Sequence, residues 1–337
     1  MSESQVIALK FRPKTFDQVV GQEAITRTLK NAVANGTLHH AYLFAGARGV
    51  GKTTTARILA KALNCEQAPT TDPCGECPAC VDIADGKSMM VVEIDAASNT
   101  GVDNVREVII NSAAFAPPAG LYKIFIIDEV HQLSSSAFNA LLKTVEEPPP
   151  RVLFIMATTE IQKVPETILS RCQIFEFRTI PLGKIVNELA RIADQLGIKI
   201  SETALLTIAR AGDGSMRDAE SALDQVISFA GKDVSDEDVS NALGLVSVET
   251  LNATLRAIAD QDAGAALRIV DDVVTRGYDL RNYCRDLMAH IRAVLTVKIA
   301  GFDPELVQLP QAEAQSLTDI ANRFSEQDLV RFFAILT

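Results

Sequence analysis

Tyr42-Leu-Phe-Ala45 runs directly into Gly46-Ala-Arg-Gly-Val-Gly51-Lys52-Thr53, and a helical pattern, Thr54 to Leu63, follows. A short apolar run is a buried strand, and a glycine-rich turn opening a helix behind it can aim backbone N–H groups inward around an anion. The order strand, G-x-x-x-x-G-K-T, helix is the context a phosphate-binding loop requires, against the alternative of a chance glycine-rich turn. Lys52 then reaches the outer phosphates, and the Thr53 hydroxyl is placed to ligate Mg²⁺.

Working outward, four more short runs carry strand character: Met90 to Ile94, Lys123 to Ile127, Val152 to Met156 and Gln173 to Phe177. With Tyr42 to Ala45 they predict five buried strands in a parallel α/β sheet. The third ends in Asp128-Glu129. Two adjacent acids there suit two roles, Asp128 in the Mg²⁺ shell and Glu129 polarising an attacking water, although a strand ending in acids is often only solvated. Beyond Pro181 the strand pattern stops. Ile185 to Leu196, Ser201 to Ala211, Ser215 to Ala230 and Ser235 to Leu243 read as helices, several opened by Ser and closed by Gly. From about 246 the apolar spacing stays helical, through Leu251, Leu255 and Ile258 and then Leu280, Tyr283, Leu287, Ile291 and Leu295.

The predicted architecture is therefore an α/β P-loop domain over 1–180, a small helical domain over 181–245 and an all-helical domain over 246–337. The last residues, Phe333 to Thr337, sit in an apolar stretch without a stop signal, so the chain is expected to be cut from something longer.

The 337 residues are 47% apolar and 22% charged, which excludes a disordered or fibrous chain. No apolar run approaches the length of a membrane span, and Lys10, Arg12, Lys14 and Asp17 break any export segment, so a cytoplasmic protein without membrane contact is expected. The formal charge is −11, most of it after residue 180, so a general basic surface for nucleic acid is absent and DNA contact must use a local patch.

Four of the six cysteines form Cys65-x8-Cys74-x2-Cys77-x2-Cys80, with Pro73, Gly75 and Pro78 supplying turns. Without an export signal this is read as a metal site in a module of about 64–82, with Zn²⁺ preferred and iron–sulfur ligation as the alternative. Four protein ligands leave no open position, so the role is structural. Cys172 and Cys284 are read as buried thiols or bystanders, and His39, His40, His131 and His290 as structural.

A last group is informative only in company: Thr158 and Thr159 at a strand end, Ser170-Arg171-Cys172, and Arg217 in Gly214-Ser-Met-Arg-Asp218. In this order, the whole set resembles the AAA+ ATPases of the clamp-loader clade. The cysteine insert, Lys10-Phe-Arg-Pro-Lys-Thr-Phe-Asp-Gln-Val-Val-Gly-Gln22, His39-His-Ala-Tyr-Leu-Phe44, Ile94-Asp-Ala-Ala-Ser98 and Phe138-Asn-Ala-Leu-Leu-Lys-Thr-Val-Glu-Glu-Pro148 sharpen the likeness to the bacterial tau/gamma family within it. The likeness is dense from about 10 to 230, with a compatible helical pattern beyond.

The resemblance implies an ATP-hydrolysing motor subunit assembled with delta, delta-prime and further copies of itself through C-terminal collar domains, loading a ring-shaped sliding clamp onto primer-template DNA. It also implies residue roles. Arg12, Pro13 and Val20 would lie near the adenine, with Gly46, Gly49, Val50, Gly51, Lys52, Thr53 and Thr54 along the phosphates. Thr159 would sense the γ-phosphate, Arg217 would contact the phosphates in cis from the lid, and Arg171 would act in trans on a neighbour's nucleotide. Where related subunits carry basic residues toward DNA, this chain has Ser98, Asn99 and Thr100, leaving Lys143 as a further candidate. A non-hydrolysing adaptor subunit and a different P-loop machine, such as a helicase or remodeller, are the competing readings. The complete Lys52, Thr53, Asp128, Glu129 set argues against the first, and the cysteine insert with Ser-Arg-Cys against the second.

Overall fold

The computed structural model describes residues 6–98, 101, 105–113, 115, 117–303 and 314–336, with the side chains of 105–107 excepted. The chain divides into two compact units, Met1–Ile192 with Ile208–Leu223, and Ala193–Thr207 with Asp224–Thr337.

The first unit is built on a five-stranded parallel sheet: β1 (Ala41–Gly46), β2 (Val91–Asp95), β3 (Lys123–Asp128), β4 (Val152–Thr158) and β5 (Gln173–Phe177), in the order β2-β3-β4-β1-β5. The order explains one correction to the sequence reading. Among the described residues only β1, β3 and β4 have neighbours on both sides and are almost wholly buried, whereas the edge strands β2 and β5 are only partly buried, with Glu93, Gln173, Ile174 and Glu176 exposed.

Helices cover both faces, as parallel sheets require. One core gathers Tyr42, Phe44, Ile124 and Ile126 against Leu29, Ile58 and Leu59. The other packs Leu43, Phe125, Ile127 and Phe154 against Phe138, Leu141 and Ile168. Phe125 and Phe154 stack at 5.4 Å across β3 and β4, and each contributes about 2–3 kcal/mol by burial. The alternate sides of the strands feed alternate cores, so register is fixed: β3 pairs with β2 so that Asp128 lies opposite Asp95, and β1 with β4 so that Ala45 lies opposite Thr158. All four lie at the C-terminal ends of their strands, where ligands bind in open α/β sheets.

The helical reading beyond residue 181 is close. Helices span Leu182–Leu196, Glu202–Ala211, Met216–Ala230 and Asp236–Leu243. Ser201, Ser215 and Ser235 cap the last three, each accepting from a backbone N–H three residues on, and Ser235 with Asp238 forms a reciprocal capping box. A two-residue parallel pair, β6 (Lys199–Ile200) with β7 (Asp233–Val234), is too short to show in the sequence pattern, and corrects the expectation of no strands here.

Among the described residues the second unit's C-terminal part is all-helical, with Val248–Ala259, Ala263–Thr275, Leu280–Ala300, Ala314–Ala321 and Glu326–Leu336. Leu255, Val273, Leu287, Ile291, Val294 and Leu317 form its core. Inside it His290 Nε2 lies 2.7 Å from Asn252 Oδ1, and Asn252 Nδ2 donates to Ser316 Oγ at 2.9 Å. Among the described residues no helix is long and apolar enough to cross a membrane.

Candidate nucleotide and metal sites

The glycine-rich turn connects β1 to the helix Lys52–Asn64, which starts two residues earlier than the sequence pattern shows. Its N-cap is Gly51 at φ +107°, and no side chain caps it, leaving the first N–H groups directed into a cavity of about 680 Å³. Gly49, at φ +73°, is required by packing as well as by conformation: a Cβ there would meet Ser215 Oγ at 1.9 Å. A Cβ on Gly46 would lie 2.3 Å from the Phe177 carbonyl oxygen. The loop is thus held between β5 and the start of the helix Met216–Ala230, where Arg217 N–H points to the Gly49 carbonyl at 3.5 Å.

Lys52 is 6% exposed and its Nζ donates to the Gly46 and Ala47 carbonyls, both at 2.8 Å. Burial lowers the Lys52 pKa, opposed by the charges of Glu129 and Asp128. Thr53 Oγ1 donates to Asp128 Oδ2 at 2.7 Å, joining the P-loop helix to the end of β3. Adjacent ligands of an octahedral Mg²⁺ at about 2.1 Å lie about 3 Å apart, so this oxygen pair fits that ion.

Glu129 sits at φ +47°, in the left-handed region, between the end of β3 and the 3₁₀ turn Val130–Gln132. Thr159 donates to Glu129 Oε2 from its backbone N–H at 3.2 Å and from Oγ1 at 2.9 Å. His131, with a side chain 4% exposed, approaches the same oxygen at 3.3 Å through Nδ1, which also lies 3.0 Å from Thr158 Oγ1. Its Nε2 is 3.3 Å from Glu160. His131 therefore belongs to the site, which the sequence reading missed. The signal was its position one 3₁₀ turn beyond Asp128, in Val130–Gln132.

Arg12, Pro13, Val20, Gly49 to Thr54, Asp128, Glu129 and Arg217 all line the one cavity, and Arg12 Nε donates to Thr54 Oγ1 at 3.2 Å. Burial, then Arg57, lowers the Arg12 pKa. Gly46 stands behind the loop and Thr159 behind Glu129, neither of them lining it. Arg171 is outside: its guanidinium donates to Glu146 at 3.0 Å and to the Thr167 carbonyl at 2.7 Å. Glu188, Glu220 and Ser221 line the cavity and had not been singled out. Glu220 was legible only as an acid lying beside core positions Ala219, Leu223 and Val226 on one helix.

The four cysteines converge, with all Sγ atoms within 4.8 Å of one another. Cys65 and Cys74 are 3.5 Å apart, and Cys65 and Cys77 4.0 Å. These separations are far beyond the about 2.05 Å of a disulfide and close to the about 3.8 Å between thiolates on a tetrahedral Zn²⁺ with Zn–S of about 2.3 Å. Cys77 caps the helix Pro78–Asp85, which carries Cys80 inward. Backbone N–H groups of Glu76 and Cys77 bring the Cys74 thiol down to about 7, while burial pushes Cys80 up to about 12. Of the other two, Cys172 is half-buried and Cys284 exposed, so Cys284 is not a buried thiol.

Of the residues expected near DNA, Ser98 is exposed with its Oγ donating to the Asp95 carbonyl, and Lys143 is exposed on the helix Ser135–Glu146. Asn99 and Thr100 lie outside the described residues.

Residues 21–181 match the family described as DNA polymerase III, delta subunit; 184–232 match the DNA polymerase III clamp loader subunit, ATPase lid domain; and 234–337 match DNA polymerase III subunits gamma and tau domain III. DNA polymerase III subunit tau of Bacillus subtilis is 47% identical over 88% of this chain and 52% of its own length. The Escherichia coli subunit tau is 40% identical over 92% of this chain and 48% of its own. The chain thus spans about half the length of these relatives. DNA polymerase III subunit gamma of Buchnera aphidicola is 36% identical over 87% of this chain and 81% of its own. In structure, the Thermotoga maritima RuvB Holliday junction branch migration motor aligns with a TM-score of 0.53 at 19% identity, over 74% of this chain and 79% of that one, a likeness of fold alone. Since one such relative is matched over four fifths of its length and residues 184–232 and 234–337 match the clamp-loader lid and the gamma and tau domain III families, the chain belongs to the tau/gamma family of DNA polymerase III clamp-loader subunits, with an AAA+ fold.

Proposed function

We propose that the chain is an ATP-hydrolysing motor subunit whose ATP cycle opens and loads a sliding clamp onto primer-template DNA. The observation that carries this reading is the Thr53–Asp128 pair at 2.7 Å in the mouth of the P-loop cavity, with Glu129 next to it. Lys52 and the N-terminal amides of its helix hold the outer phosphates. Thr53 and Asp128 hold Mg²⁺, which when bound neutralises charge on the phosphoryl oxygens. Glu129 orients and polarises the attacking water, and Thr159, bonded to Glu129, links that acid to the γ-phosphate. Arg12, Pro13 and Val20 flank the nucleoside and Arg217 reaches the phosphates in cis.

Arg171, which lies outside the lining of its own cavity, completes a neighbour's site in trans, so turnover requires assembly with delta, delta-prime and further copies. On this reading residues 181–245 are the lid and 246–337 the collar, in a cytoplasmic complex. The cysteine module of about 64–82 holds one structural Zn²⁺, and DNA lies against Ser98, Asn99, Thr100 and Lys143.

The test is steady-state ATP hydrolysis by the chain reconstituted with delta and delta-prime subunits, with and without clamp and primed DNA. Stimulation needing both ligands is expected. Arg171→Ala should leave ATP binding near normal and lower assembled hydrolysis by about 10³-fold or more. Hydrolysis indifferent to the clamp would refute the loading function, and loss of ATP binding in the variant would refute the trans role.

A further inference from the structure

Glu220 is 5% exposed, yet its carboxylate accepts no hydrogen bond and meets no cation within 4 Å among the described residues, and it lines the P-loop cavity. Both nearby cations are committed elsewhere. Arg191 donates to both oxygens of Glu188, at 2.9 and 2.5 Å, while resting over the Phe11 ring, and Arg12 donates to Thr54. Burial, then the neighbouring Glu188, pushes the Glu220 carboxyl up to about 7. An unpaired buried acceptor of this kind is costly unless a ligand supplies its donor.

Its position says which part of a ligand that is. Glu220 follows Arg217 by three residues, about 4.5 Å along the helix axis, and Arg217 N–H faces the Gly49 carbonyl. From Thr54, in the first turn of the phosphate-binding helix, contact runs to Arg12, whose charge acts on Glu220. The carboxylate thus shares the cavity wall with Arg12, Thr54 and Arg217, and on the nucleotide reading, with Arg12 flanking the nucleoside and Lys52 the outer phosphates, it falls on the sugar side. A carboxylate repels phosphate oxygens and accepts from hydroxyls.

We propose that Glu220 accepts a hydrogen bond from the sugar hydroxyls of the bound nucleotide and selects ribonucleotides over deoxyribonucleotides. The inference rests on the nucleotide reading of the cavity. For a replication protein such selection has a use, because deoxynucleotides are consumed beside it.

The test is calorimetric binding of ATP, 2′-deoxy-ATP, 3′-deoxy-ATP and ITP to the whole chain, wild type and Glu220→Leu. The wild type should bind ATP about tenfold or more tighter than at least one deoxy analogue, as a hydrogen bond to a charged group implies. In Glu220→Leu, which removes the unpaired acceptor, that ratio should fall toward one. An unchanged ratio in the variant, an equal loss for every nucleotide, or a variant effect confined to ITP against ATP would overturn the proposal. Equal wild-type binding of ATP and both deoxy analogues would overturn it while sparing the nucleotide site, whereas no wild-type binding of any would overturn both. Should Glu220→Leu not fold, the wild-type ratios and Glu220→Gln, expected to retain part of the preference, decide the matter.

Discussion

Gly49→Ala tests whether the phosphate loop is clamped by the helix that carries Arg217. The added Cβ would stand 1.9 Å from Ser215 Oγ, 3.1 Å from Ser215 Cβ and 3.2 Å from Arg217 Cβ, at a backbone φ of +73°. Left-handed backbone costs an alanine about 1 kcal/mol, and overpacking of this severity about 2 kcal/mol, giving about 3 kcal/mol for the single change. Ser215→Ala alone loses the cap on Asp218 N–H, about 1 kcal/mol. The two sites couple, because removing Oγ abolishes the 1.9 Å clash and leaves contacts that shift by a few tenths of an ångström. The double variant should therefore lose about 2 kcal/mol, not the about 4 kcal/mol of simple addition. Urea unfolding at constant m measures the cycle. Strict additivity would show that the loop yields without touching Ser215, and would refute the clamp. ATP binding should follow the same order, weakest in Gly49→Ala and partly restored in the double variant.

Glu129→Gln should keep ATP bound while slowing assembled hydrolysis by about 10²-fold or more, measured by single-turnover release of phosphate; unchanged turnover would remove Glu129 from its role. Metal analysis should find one Zn²⁺ per chain, lost in Cys80→Ser with a thermal midpoint lower by roughly 5 °C, and an iron–sulfur absorption band would refute the zinc assignment. Burial lowers the His290 pKa to about 4. Because the unfolded state takes up this proton near 6.5 and the folded state does not until about 4, stability is full above 6.5 and falls by about 3 kcal/mol as pH drops between those values. His290→Leu should flatten that part of the profile for the C-terminal helices, and an unaltered slope would show that His290 does not set it.

The strands and the P-loop were legible because each is a local pattern. All five strands fall within a residue or two of their apolar runs, and three of the four helices between 181 and 245 begin at the serines that cap them. What the sequence withheld is long-range. Whether a strand is central or an edge depends on the order β2-β3-β4-β1-β5, which no single run encodes, so β2 and β5 read as buried. His131 and Glu220 reach the site through a 3₁₀ turn and through a helix from elsewhere in the chain, and neither carries a motif. Ser215 looked like a helix start and nothing more, because its contact with Gly49 joins segments 166 residues apart.

The pairing of Asp128 with Asp95 and of Ala45 with Thr158 ties chemistry to the hydrophobic core in a specific way. Consecutive residues of a strand point to opposite faces, so a slip of one place along β3 would exchange Phe125 and Ile127 with Ile126 between the two cores and swing Asp128 off Thr53 in the same movement. The oily interior therefore acts as a vernier for the acids at its rim: any register that misplaces the carboxylate also misplaces three bulky side chains. Accuracy at the phosphate end is enforced by residues that never approach a nucleotide.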